Sequence, residues 1–151
     1  MTNEENILAL SILQDPDAAA LPSPDESGRL PALVSGLSAV HRAHLAAALR
    51  VKYGRPTLIL CPDENGARST AADLSAFTGE ECILLTGRDY VFYSADAMSR
   101  STEQRRINAL AALMDGAPLV VATAEGLFQR TMPPEVFRRA VFELDMKSAA
   151  A

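Results

Sequence analysis

The residues that could do chemistry in this chain crowd into one turn, Val34-Ser-Gly-Leu-Ser-Ala-Val-His-Arg-Ala43. A small-residue turn entering a helix is where a phosphate loop, Gly-x-x-x-x-Gly-Lys-Ser/Thr, would sit. Each part of that template has a task. The glycines let backbone amides curl around phosphate, the lysine reaches the terminal phosphates, and the hydroxyl holds Mg²⁺. Starting the template at Gly36 puts His41, Arg42 and Ala43 on the Gly-Lys-Ser/Thr positions. Starting it at Leu33 puts Ser38, Ala39 and Val40 there. Both registers fail at all three Gly-Lys-Ser/Thr positions, and Gly-Lys-Ser/Thr occurs nowhere in the chain. The residues of this vestigial loop are Ser35, Gly36, Leu37, Ser38, His41 and Arg42. Two readings of the turn remain. In the first, the loop joins a strand to a helix and Ser38 caps that helix. In the second, the helix N-terminus still takes an anion. The residue types favour the first.

Other chemistry is sparse. The apolar runs that read as strands end at Cys61-Pro-Asp, Leu85-Thr and Ala122-Thr, with no acidic Mg²⁺ ligand at their tips. Asp63 reads as a helix N-cap. His41 and His44 lie three apart with no third ligand in view, so a structural pair is expected and no metal site. Cys61 and Cys82 have neither zinc spacing nor histidine neighbours and read as buried, reduced thiols.

The elements that must carry this turn alternate. Residues 2–14 read as a helix, and residues 15–31, with Pro16, Pro22, Pro24, Gly28 and Pro31, read as an acidic linker that lets the helix dock on the domain behind it. Strands are expected at 32–35, 56–61, 81–85 and 117–123, with a further one at 141–144. Helices are expected at 40–53, from 62 to about 77, at 101–114 with Ser101-Thr-Glu-Gln104 as a capping box, at 124–130 and at 135–139. Apolar strands alternating with helices predict an α/β fold with a mostly parallel sheet flanked by helices, a three-layer sandwich. Ligands of such sheets sit at the carboxyl ends of the strands. The expected division is residues 1–31 as leading helix and linker, 32–145 as the α/β domain, and 146–151 as a tail. The uncapped end after Val136 reads as a fragment of a longer protein.

Composition narrows the classes. Of 151 residues, 48% are hydrophobic and only 5% aromatic, so the core must rest on Leu, Ala, Val and Ile. Net charge is −5, against the clustered positive charge that strong nucleic-acid binding needs. The basic residues are nearly all arginine, suited to fixed pairing with carboxylates. An acidic start and the lack of a long apolar run predict a cytoplasmic protein with no membrane contact.

Five segments occur together in order: Val34-Ser-Gly-Leu-Ser38, Gly54-Arg-Pro-Thr-Leu-Ile-Leu-Cys-Pro-Asp63, Arg88-Asp-Tyr-Val-Phe-Tyr93, Ser99-Arg100 with Glu103-Gln-Arg-Arg-Ile107, and Val120 through Pro134. In this order they resemble the N-terminal, UvrB-like domain of the bacterial transcription-repair coupling factors, the Mfd family, over roughly residues 5–145. The resemblance implies a degenerate phosphate-loop fold like that of RecA and UvrB domain 1. It implies a non-catalytic scaffold in transcription-coupled nucleotide-excision repair. The whole protein would be an ATP-dependent DNA translocase that displaces stalled RNA polymerase and recruits UvrA, with ATP, Mg²⁺ and DNA bound by its motor domains. The fragment itself would need no cofactor and would contact neighbouring domains. UvrB's intact loop and long DNA-clamping hairpin have no counterpart here, because residues 94–100 are too few for two strands and a turn. Arg88, Tyr90, Arg100, Arg105, Arg106 and Arg130 form a candidate partner or DNA face, against a solvated, salt-bridged surface as the plainer alternative.

Overall fold

The computed structural model describes residues 3–26, 28, 31–87 and 100–140. The chain opens with helix α1 (Asn3–Leu10), a 3-10 turn (Ser11–Gln14) and a one-turn helix α2 (Pro16–Ala19). Helix α3 (Ala39–Tyr53) follows, then strand β1 (Thr57–Cys61) and helix α4 (Glu64–Thr78). Strand β2 (Ile83–Leu85), helix α5 (Arg100–Met114), strand β3 (Leu119–Thr123) and helices α6 (Ala124–Phe128) and α7 (Pro134–Ala140) complete it.

The three strands form one parallel sheet in the order β1-β3-β2. Register pairs Leu58 with Val120, Leu60 with Ala122, and Ile83 and Leu85 with Val120 and Ala122. Side chains alternate across a strand, so this register sorts the sheet into two faces. Ile59, Cys61, Leu119, Val121 and Leu84 pack with Ala43, Ala47, Ala67, Ala71 and Leu74 of α3 and α4. On the other face Ile83, Leu85 and Ala122 meet Ala109 and Leu110 of α5. Helices therefore cover one face, and the β2 side of the other, while Leu58 (55% exposed) and Leu60 (58%) of β1 stay open where the apolar strands predicted cover. The alanines matter: at 0% exposure, Ala43, Ala47 and Ala67 let α3 and α4 approach closely without large side chains.

Local signals explain the boundaries. Gly54 (φ 64°) and Gly79 (φ 67°) end α3 and α4 in the left-handed conformation, which glycine enters without a Cβ clash. Asp63 caps α4, its Oδ1 accepting from Gly66 N at 2.8 Å. Arg50 Nε and Nη2 each donate to Glu80 at 3.1 Å, clamping the end of α3 to the turn before β2.

Three expectations change. Residues 32–35 are no strand; every one is exposed and Leu33 is 94% exposed. The segment pairs with no strand of the sheet, and Gly36 (φ 80°) turns the chain straight into α3. The turn at 34–43 thus follows an extended connection rather than a sheet strand. Ser101 lies inside the first turn of α5, which begins at Arg100, so it is not the cap of a capping box. The linker is partly helical, because Asp15 caps α2 by accepting from Asp17 N and Ala18 N, with Pro16 at the first helical position. The expected strand at 141–144 lies outside the described residues, as do Arg88 and Tyr90. No helix among the described residues is long and apolar enough to cross a membrane.

Candidate functional site

The turn before α3 is held by its own side chains. Ser38 Oγ accepts from His41 N at 3.3 Å and caps the helix. Arg42, the residue on the lysine position of the template, donates from Nη1 to Leu37 O at 2.9 Å and so braces the loop it would otherwise leave. Ser35, Gly36, His41 and Arg42 are exposed and Leu37 is half-buried. Beside this turn runs a groove of about 520 Å³, walled by Ile12, Leu21, Leu33, Val34 and Leu37 and edged by Asp15, Asp17 and His41. Two carboxylates thus share this groove with residues of the turn.

The leading segment is fastened to the same region through a histidine. His44 Nε2 donates to Leu8 O at 2.9 Å, and its ring stacks on Phe77 with centroids 4.4 Å apart. One imidazole therefore joins α1, α3 and α4, which is the structural role expected for it. His41 shares none of these contacts. Among the described residues no group of three or more His, Cys, Asp or Glu could hold a metal ion. Further along, Arg55 pairs with Asp25, fixing the acidic linker to the connection before β1.

The carboxyl end of the sheet is the second region to consider. Thr123 ends β3 and caps α6, its Oγ1 accepting from Gly126 N at 3.1 Å. Gly126 presses on β2: a Cβ there would lie 2.5 Å from Leu85 O. Arg106, at 8% exposure, donates from Nη1 to Thr86 O and Gly126 O, both at 3.1 Å. It is a staple between β2 and α6, and its burial removes it from the candidate exposed face. The long aliphatic stem lets arginine fill a buried site while the two N–H groups of Nη1 satisfy both carbonyls.

A cleft of about 390 Å³ opens beside β2, lined by Glu64, Arg68, Glu81, Thr86, Thr102 and Arg105 among others. Its cations are engaged locally. Arg68 pairs with Glu64 four residues before it. Arg105 turns back on its own helix, donating to Ser101 O at 3.2 Å and to Thr102 Oγ1 at 3.3 Å. Burial pushes the Cys82 thiol up to about 11, outweighing a hydrogen bond with the Val121 backbone, so Cys82 stays protonated and is a poor nucleophile at neutral pH. Cys61 and Cys82 are both free thiols. Arg100 opens α5, and Arg130 is exposed in the connection between α6 and α7. The structure does not gather Arg105, Arg106 and Arg130 onto one exposed face.

Asp15 and Asp17 were the residues that sequence reasoning passed over. Asp15-Pro16-Asp17 carries a helix-start signature, a capping carboxylate followed by proline, yet it sat within a stretch dominated by linker residues. No family model, curated protein or solved structure matches this chain.

Proposed function

We propose that this chain is a non-catalytic scaffold and interaction module of a transcription-repair coupling factor, built on a degenerate phosphate-loop α/β framework. One observation carries the non-catalytic part of the reading. Arg42 is held by a hydrogen bond to Leu37 O, no lysine stands in the turn, and Asp15 and Asp17 edge the adjoining groove, so the turn has neither the lysine nor the acid-free surroundings of a working phosphate loop. Ser38, the hydroxyl near the turn, is likewise spent as a cap. The assignment to a coupling factor rests on the five ordered sequence segments. On this reading ATP, Mg²⁺ and DNA are handled by motor domains elsewhere in the full-length protein, which also meets UvrA and RNA polymerase. The described part positions neighbouring domains.

The competing readings are an NTP-hydrolysing domain that uses Arg42 and a DNA-binding module that uses the arginines. Both are tested on the purified chain by phosphate release with ATP·Mg²⁺ and by fluorescence anisotropy of a labelled duplex. The expected results are no turnover above buffer and no duplex binding at low salt. Turnover abolished by Arg42→Ala, or duplex affinity that falls steeply with added salt, would overturn the proposal.

A further inference from the structure

A groove runs beside the turn. Its walls are aliphatic, from Ile12, Leu21, Leu33 and Leu37, and its volume of about 520 Å³ admits one or two side chains of a visiting segment. Leu33 stands 94% exposed at its lip, an unusual position for a large aliphatic residue with a groove beside it. The lip is negatively charged. Asp17 is exposed, and its carboxylate has no hydrogen-bond or ion-pair partner among the described residues. Asp15 caps α2 through Oδ1. Of the acidic residues in 15–26, Asp15 and Asp17 line the groove, whereas Asp25 is paired with Arg55. Arg42, bonded to Leu37 O, brings one positive charge to the far side of the groove, against the two carboxylates of Asp15 and Asp17.

We infer that this groove docks a short peptide segment of a partner protein, one that places an aliphatic side chain between Leu33 and Leu37 and a lysine or arginine against Asp17. An apolar floor with an acidic lip is complementary to a cationic, aliphatic segment and repels acidic or phosphorylated ones. The aliphatic contact supplies affinity and the charge pair supplies selectivity. This assignment rests on the groove and holds whichever larger protein the chain serves.

The test uses the full chain, ¹⁵N-labelled, titrated with the peptide acetyl-Ala-Leu-Lys-Leu-Ala-amide and its glutamate counterpart. The lysine peptide is expected to shift the amides of Ala18, Leu37 and Leu45 saturably. The glutamate peptide should bind at least about threefold more weakly, the scale of an exposed charge pair. Asp17→Lys should reverse that preference, and Leu33→Ser should weaken both peptides about tenfold, the scale of removing one aliphatic side chain from the groove wall. Both positions are exposed, so both variants should keep the wild-type melting temperature, which is measured alongside. Equal binding of the two peptides, shifts confined to other surfaces, or no shifts at millimolar peptide would each overturn the inference. None of those results bears on turnover or duplex binding, so the two proposals fail separately.

Discussion

Replacing Arg106 with methionine keeps the long stem and removes the guanidinium. Two carbonyls, Thr86 O and Gly126 O, then lose a charged donor at 3.1 Å each. A hydrogen bond to a charged group contributes about 1.5–3 kcal/mol. Relief of the buried charge's own desolvation offsets part of this. The balance is a loss of about 3 kcal/mol. At roughly 2–4 °C per kcal/mol for a domain of this size, the melting temperature should fall by about 10 °C. Arg106→Lys should fall between methionine and wild type, because a shorter, more strongly hydrated ammonium does not reach the Nη1 position from which both carbonyls are bonded. Urea unfolding followed by circular dichroism measures the loss, with the m-value checking that the transition is unchanged. A variant within about 0.5 kcal/mol of wild type, typical of a surface substitution, would refute the staple and return Arg106 to an exposed role.

Three further outcomes are expected of the same structure. Gly126→Ala should cost about 1–3 kcal/mol in the same assay, since its Cβ has no room against the β2 backbone. Cys82 holds its proton more tightly when folded than when unfolded, so its contribution is fully present below pH 9 and is lost as pH rises towards 11. Stability of the wild-type chain should therefore decline more steeply across that window than stability of Cys82→Ala, measured by urea unfolding at each pH. His44→Ala should free α1, and hydrogen exchange should accelerate at residues 7–12 while the amides of β3 stay protected.

Most of the sheet and its helices could be read from the sequence, because local signals and tertiary packing agree there. Apolar runs such as Leu119–Thr123 are buried throughout, and Gly54 and Gly79 close helices where the left-handed turn is needed. The failure at residues 32–35 is instructive. Val34 and Leu33 look like strand residues, but a strand forms only where a neighbour offers a pairing edge, and that information is not local. The same lack hid the groove, whose walls come from residues 12 to 45 and are joined by folding of the leading segment. Arg106 and Arg105 are adjacent in sequence and differ completely in environment. Their helical positions alone could not say which one β2 and α6 would enclose.

The central proposal is that the turn at 34–43 does not bind nucleotide, and calorimetric titration of the chain with ATP·Mg²⁺ tests it most directly. The account predicts no saturable heat up to millimolar nucleotide. Micromolar binding that Arg42→Ala removes would contradict it.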